Sequence, residues 1–322
     1  MAVANELADQ LQVLWDAQAN AWPMMARGVE HLVKSEVREV EHGGLRCRLQ
    51  FNPGRVVSAT AKVDAKSIAA RPCFLCESNR PSEQRGVDAG DGYVFLCNPM
   101  PIFNPHFTVP TLEHQPQRIE TCLPKMLELA ERLNGAFTVF YNGPKCGASA
   151  PDHLHLQASP LGATPFEEQL IGAGNLGQGA VQDPGQGPAG HDRACGGGVD
   201  VWVTAAPVQP ALVIAGADRV AVQTRAEQVI AKLADLFPTD PEPMMNALAL
   251  HVDGKLRVVL FPRASHRPSN FGTEAGQVLV SPGLVDMLGL LITPRREDFD
   301  TLTGEEVAKI YREVSRGRGE LS

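Results

Sequence analysis

The most constraining feature of this 322-residue chain is a short alternating run, PDHLHLQASP, at 151–160. His153, His155 and Gln157 occupy every second position, and leucines stand between them. Because side chains of a strand alternate between its two faces, the pattern predicts a strand with a leucine face in the core. The other face carries two imidazoles and one amide. These side chains could take part in catalysis or bind a metal; in the simplest alternative, the segment is a core strand that happens to contain histidines.

The order of predicted elements indicates an α+β fold with largely antiparallel sheets, because many predicted strands are adjacent in sequence. Helical periodicity runs through 5–40, and strands are predicted at 45–53, 93–99 and 106–114, followed by a helix at 123–135. PIFNPHFTVPTLEHQP and LRVVLFPRASHRP share a pattern of strand, proline, histidine and proline. We interpret them as the two copies of a degenerate internal duplication.

These patterns divide the chain into four segments. We expect an N-terminal helical segment at 1–44, a catalytic half at 45–160 and a degenerate second half at 199–322. The segment between them, 161–198, is too rich in glycine to bury a core, and we expect either a mobile lid or a plain linker there.

The charge balance and the cysteines restrict the partners. A formal net charge of −8 argues against a surface that binds nucleic acid. No apolar run reaches the roughly 18 residues of a membrane helix, and the acidic amphipathic N-terminus does not resemble a signal peptide. Seven cysteines with one compact pair indicate a reducing compartment. We therefore expect a cytoplasmic protein that binds neither nucleic acid nor membrane.

A turn rich in small residues precedes the alternating run. In YNGPKCGASAPD, the backbone N–H groups around Gly143 and Gly147 could converge on an anion, and Asn142, Lys145 and Ser149 would add donors. A phosphate-binding turn beside a histidine face indicates phosphoryl or nucleotidyl transfer. Neutral imidazole is a competent nucleophile toward phosphorus, and the phosphoramidate that forms is reactive enough to be discharged.

The motif RPCFLCESNRP supplies half of a tetrahedral zinc site. The chain has no second CxxC, so histidines must complete the site, and the candidates are His106, His114, His153 and His155. The sharper hypothesis is a closed, structural zinc site that leaves His155 free; its ligands would be Cys73, Cys76, His114 and His153. The alternative is an open catalytic zinc bound by both His153 and His155.

The segments HFTVPTLEH and HLHLQ resemble the histidine triad superfamily, specifically its transferase branch, in which the third triad position is glutamine. PQRI and LITPRREDFDTLTGEEVAKIYREVS resemble its GDP-hexose phosphorylases, and FYNGPKCGASAPDH is also similar to its diadenosine tetraphosphate phosphorylases. The resemblance implies duplicated histidine-triad-like halves, with antiparallel sheets flanked by helices. It also implies a nucleophile at His155 and a phosphate-binding Gln157, because an amide can donate to a phosphate oxygen but cannot shuttle a proton.

The same resemblance implies further roles. Ser149 and Gly147 match the phosphate turn, and the two cysteines with His114 and His153 match zinc ligands. Asn52, Arg55 and Asn98 are weaker matches to nucleotide contacts. It also implies a homodimer.

The second half contains a basic group that consists of Arg263, His266 and Arg267. We expect it to bind substrate phosphate or sugar; the alternative is that these residues form ion pairs at the surface. The predicted enzyme uses a nucleotide sugar or a dinucleoside polyphosphate as substrate and inorganic phosphate or a sugar phosphate as acceptor. A hydrolase that uses water, and a nucleotide-binding protein without catalysis, are the alternatives.

Overall fold

The computed structural model describes residues 5–56, 60, 64–172, 198–204, 206 and 208–321. Most of the predicted lid or linker, 173–197, lies outside the described residues. The helices are α1 Glu6–Ala21, α2 Pro23–Val33, α3 Ala65–Ala69, α4 Ile119–Leu133, α5 Pro165–Gly172, α6 Arg219–Leu236, α7 Leu284–Met287, α8 Arg296–Thr301, α9 Gly304–Val314 and α10 Arg318–Leu321, with short 3-10 turns at Pro53–Arg55 and Glu77–Asn79.

The strands are β1 Glu36–His42, β2 Leu45–Phe51, β3 Gly86–Gly90, β4 Tyr93–Cys97, β5 Phe107–Pro110, β6 Phe137–Asn142, β7 His155–Pro160, β8 Asp200–Val203, β9 Leu212–Gly216, β10 Met245–Val252, β11 Lys255–Pro262 and β12 Leu290–Thr293. Nine of them form one sheet in the order β3-β4-β5-β7-β6-β10-β11-β9-β8, in which every neighbouring pair is antiparallel. The other three form a small sheet, β1-β2-β12. The predicted α+β class with largely antiparallel sheets is therefore confirmed.

The large sheet contains the same unit twice. Strands β4, β5, β6 and β7 lie in the order β4-β5-β7-β6 with α4 between β5 and β6, and β8 to β11 repeat that order with α6 in the matching place. The units meet where β6 pairs with β10. Our alignment of the two repeated segments was wrong, because LRVVLFPR forms β11, which corresponds to β7 and not to β5.

Two further expectations need correction. The helical periodicity ends at Val33, and Glu36–His42 is a strand that pairs with β2 across a tight Gly43-Gly44 turn with positive φ at both glycines. The predicted lid begins later than residue 161, because Pro165–Gly172 is a helix that buries Leu170. The limits of the four segments otherwise remain a prediction.

The large sheet separates two apolar cores. Helices α1, α2, α4 and α6 cover one face, against which Leu154, Leu156 and Ala249 pack. The small sheet and the C-terminal helices cover the other face, against Phe140 and Val259. Because β7 alternates, His155 and Gln157 point to this second side. Among the described residues, no helix is long and apolar enough to cross a membrane.

Candidate active site and metal centre

The proton positions on His155 follow from one backbone contact. Its Nδ1 lies 2.8 Å from the carbonyl oxygen of His153, and a carbonyl can only accept, so Nδ1 carries the proton. The Nε2 lone pair has no hydrogen-bond partner within the described residues. Burial lowers the pKa of His155 to about 4, so the ring is neutral near pH 7.

Gln157 is oriented by a histidine that the sequence did not place in this role. His106 is fully buried, and its Nδ1 accepts from the N–H of Ile102 at 3.2 Å. The other ring nitrogen, Nε2, therefore carries the proton and donates to Oε1 of Gln157 at 3.0 Å. The amide NH₂ group of Gln157 is left to face away from His106. Burial, with the nearby positive charge of Arg55, lowers the pKa of His106 to about 3.

The four residues of the sharper zinc hypothesis come together. Their ligand atoms lie within 4.8 Å of one another. Nδ1 of His153 is 3.3 Å from Sγ of Cys73 and 3.2 Å from Nδ1 of His114, which in turn is 3.2 Å from Sγ of Cys76. Bonds to zinc of about 2.0 to 2.3 Å in a tetrahedron put ligand atoms about 3.3 to 3.8 Å apart, so the cluster has the size of a zinc site.

The tautomer of His153 also fits metal binding. Its Nε2 lies 2.8 Å from the carbonyl oxygen of Thr111 and so carries the proton, which leaves the Nδ1 lone pair for the metal. His106 and His155 do not belong to the cluster. The geometry thus favours a closed four-ligand site over the alternative in which His153 and His155 share an open zinc. His114 lies beyond the end of β5, in the segment between that strand and α4.

The turn before β7 offers fewer donors to an anion than we expected. The N–H group of Gly143 donates to Met245, and those of Cys146 and Ala148 donate to the Gly143 carbonyl. Between residues 143 and 149, the N–H groups that remain for a ligand are those of Lys145, Gly147 and Ser149. Lys145 is exposed and Ser149 is half-buried. Gly147 has φ +99°, and a Cβ there would lie 2.8 Å from Cα of Gly283.

The side-chain oxygen of Asn142 is already engaged by hydrogen bonds within the protein. Its Oδ1 accepts from Nδ2 of Asn246 and from the N–H of Leu284, both at 2.7 Å. Both donors belong to the second half of the chain. Only the Nδ2 group of Asn142 is left for a substrate.

The three weaker matches all contact the loop before β5. Nδ2 of buried Asn52 donates to Pro101 at 3.3 Å, and Nη1 of Arg55 donates to Met100 at 2.9 Å. Oδ1 of Asn98 accepts from the N–H of Met100. Burial lowers the pKa of Arg55 to about 10, against the opposing negative charge of Asp286. The N–H of Asn98 also donates to the His106 carbonyl at 2.9 Å, and the charge of Arg55 acts on the His106 ring, so both residues are linked to the partner of Gln157.

The expectation that Arg263 binds substrate is wrong. Its guanidinium is 1% exposed and donates to Oδ1 of Asn246 and to four backbone carbonyls, which engage all three of its nitrogens. The sequence could not reveal this, because a basic residue after a strand has the same pattern whether it points outward or inward. His266 and Arg267 both contact the Ser281 hydroxyl, at 3.2 and 3.0 Å, and Arg267 lies over the Phe271 ring.

Known proteins resemble this chain in part of its sequence and in its fold. A family model described as "Domain of unknown function (DUF4922)" matches residues 14–160. No curated protein sequence matches the chain. The crystal structure of yeast Ap4A phosphorylase Apa2 in complex with AMP superposes with a TM-score of 0.53 at 15% identity, covering 91% of this chain and 96% of that one. The same enzyme in complex with Ap4A gives 0.52 at 15% identity, with 92% and 97% covered.

At this identity, the likeness concerns the fold. The chain shares the fold of the yeast phosphorylase over nine-tenths of its length, in agreement with the fold that the sequence resemblance implied.

Proposed function

We propose that this protein is a nucleotidyltransferase of the phosphorylase type that acts through a covalent nucleotidyl-His155 intermediate. The observation that carries the proposal is the tautomer of His155: its Nδ1–H is bound to the His153 carbonyl, and its Nε2 lone pair has no partner within the described residues. A dinucleoside polyphosphate is the first candidate substrate, because solved structures of the same fold include a phosphorylase bound to Ap4A and to AMP. A nucleoside diphosphate sugar is the second.

The reaction proceeds in two displacements. Nε2 of His155 attacks the α-phosphorus, the bond from phosphorus to the bridging oxygen breaks, and the rest of the substrate leaves, as ATP from Ap4A or as the sugar phosphate from a nucleotide sugar. An oxygen of inorganic phosphate or of a sugar phosphate then attacks the same phosphorus, and the phosphorus–nitrogen bond breaks. The amide NH₂ of Gln157 donates to a nonbridging oxygen, where charge accumulates in both transition states.

Zinc at the four-residue cluster is the proposed metal. When bound, it supplies four bonds that join the loop at Cys73 and Cys76 to His114 and His153. The Nε2–H of His153 donates to Thr111, and its carbonyl holds the His155 ring. The metal therefore stabilises the backbone from which the nucleophile is oriented, and it takes no part in the bond changes.

The test compares products with and without inorganic phosphate for Ap4A and for a panel of nucleotide sugars. We expect ADP with ATP from Ap4A only when phosphate is present. Release of AMP that does not depend on phosphate would favour the hydrolase instead. Intact mass spectrometry after incubation with Ap4A should show an added AMP group, which is lost in His155→Ala.

Replacing the nucleophile provides the mutational test. We expect His155→Ala to reduce turnover by roughly four orders of magnitude, with substrate binding retained, because it removes the attacking atom and little of the binding surface. Turnover near that of the wild type in this variant would refute the assignment. Binding of Ap4A without turnover or adduct in the wild type would identify the third alternative, a nucleotide-binding protein.

A further inference from the structure

Strands β6 and β7 separate at the catalytic residue. They pair from Phe137 opposite Pro160 to Phe140 opposite Gln157. Continued in the same register, the ladder would place Asn142 opposite His155. A direct pair is not formed there: a side-chain amide, that of Gln117, stands between the two backbones.

The Gln117 amide takes the place of a missing peptide group. Its Oε1 accepts from the N–H of His155 at 2.9 Å, and its Nε2 donates to the carbonyls of His155 and Asn142, both at 3.0 Å. Gln117 is 1% exposed, and its own N–H donates to Pro151 at 3.0 Å. The amide therefore satisfies both backbone polar groups of His155, which would otherwise be buried without partners.

We propose that Gln117 is a positioning residue for the nucleophile. It acts as a wedge that holds β7 away from β6 and fixes the backbone at His155. The role rests on the proposed function of His155. The ring itself is held by the His153 carbonyl, so the two contacts together fix the direction of the Nε2 lone pair. A displacement of about 1 Å at such a group can cost roughly 100-fold in rate.

The chain contains a matched control. Gln18 is 3% exposed and also bridges backbone groups, since its Nε2 donates to Glu83 and its Oε1 accepts from Arg85, both at 2.9 Å. It joins α1 to the loop before β3, away from β7. Gln18→Met and Gln117→Met thus remove similar buried hydrogen bonds, and a purely structural role predicts the same result for both.

The test measures kcat and KM for Ap4A with inorganic phosphate, together with the urea midpoint, in the two variants. We expect both to lose stability, but only Gln117→Met to lose about 100-fold in kcat, with KM changed less than about threefold. A kcat within twofold of the wild type in Gln117→Met, or an equal loss in Gln18→Met, would overturn the proposal. If Gln117→Met does not fold, the same measurements are made on Gln117→Glu, which keeps the acceptor for the His155 N–H. We expect kcat to fall about tenfold in that variant, and an unchanged kcat would overturn the proposal.

A second readout separates this proposal from the proposed function. The side-chain ¹⁵N resonances of His155, identified by their absence in His155→Ala, should report a proton on Nδ1 in the wild type and in Gln18→Met. In Gln117→Met we expect a mixture of tautomers. Unchanged ¹⁵N shifts in Gln117→Met would overturn the positioning role even if the wild type cleaves Ap4A. A wild type that cleaves none of the nucleotides refutes the proposed function, and the ¹⁵N spectra then decide the role of Gln117.

Discussion

His153 and His155 have opposite tautomers, and backbone carbonyls determine both. Thr111 accepts from Nε2 of His153, and the His153 carbonyl accepts from Nδ1 of His155. One ring therefore presents Nδ1 to the cluster of Cys73, Cys76 and His114, and the other leaves Nε2 without a partner among the described residues. Two identical residues separated by one leucine acquire different chemistry because each ring finds a different acceptor.

The hydrogen bond between His106 and Gln157 predicts that substitutions of the two residues have coupled effects on kcat. Because His106 fixes the Gln157 amide through Oε1, we expect His106→Phe to lower kcat by about tenfold, since the amide is then free to rotate. The measurement is a double-mutant cycle on phosphorolysis of Ap4A. His106→Phe should have little further effect in a Gln157→Ala background, whereas additive losses would show that His106 acts by another route.

At the scale of elements, the cluster of Cys73, Cys76, His114 and His153 lies where regular secondary structure is short. Cys73 and Cys76 lie in a loop that joins no sheet, and their apolar neighbours in that region are few. We expect about one zinc per chain in the purified protein. Cys73→Ser should lose the metal and lower the free energy of unfolding by about 4 kcal/mol, because the loop has little else to hold it.

The control for the metal is Cys97→Ser. Cys97 is fully buried in β4 and lies outside the cluster, so this variant should keep its zinc. Zinc content is measured by elemental analysis of both variants. A wild-type protein that is stable without metal would contradict the structural role.

Glu242 links three elements and predicts a pH dependence of stability. Its carboxylate accepts from the Tyr141 hydroxyl in β6 and from the N–H of Ile119 in α4, and burial raises its pKa from 4.5 to about 7. A carboxyl whose folded-state pKa is raised stabilises the fold at low pH, and that contribution is lost as the pH rises from about 4.5 to about 7. Its full size is about 3 kcal/mol.

The measurement is urea unfolding of the wild type and Glu242→Gln between pH 4.5 and 8. Because glutamine does not titrate, the stability of the wild type relative to the variant should fall by about 3 kcal/mol over this range. A difference that does not change with pH would contradict the raised pKa. The comparison cancels the titration of all other groups.

Local sequence patterns predicted the strands and helices whose residues alternate or repeat regularly. They did not predict features that depend on contacts between distant parts of the chain. The alternation at 151–160 predicted β7, although the strand begins only at His155, because His153 belongs to the turn before it. Gly43-Gly44 was the available signal for the β1–β2 hairpin, and we missed it. The roles of Arg263 and Gln117 could not be assigned from sequence, since each depends on contacts with residues far along the chain, such as Val314 and His155.

At the scale of the whole molecule, the two repeated units share their cores. The β6–β10 ladder makes the large sheet continuous, and residues of both units occur in each core. The small sheet adds another link, because β2 near the N-terminus pairs in parallel with β12 near the C-terminus. The second half also contributes to the candidate site, since Asn246 and Leu284 hold Asn142, which precedes the turn at 143–149.

This continuity predicts that both halves unfold in one transition. Trp15 packs against Phe107 in the first half, and Trp202 lies in β8 at the far edge of the sheet. One variant keeps only Trp15 and another only Trp202, with phenylalanine at the other tryptophans. In each, the urea midpoint from fluorescence should match that from far-ultraviolet circular dichroism. A difference above about 0.5 M in either would show that the halves unfold independently, because the shared cores would then not couple them.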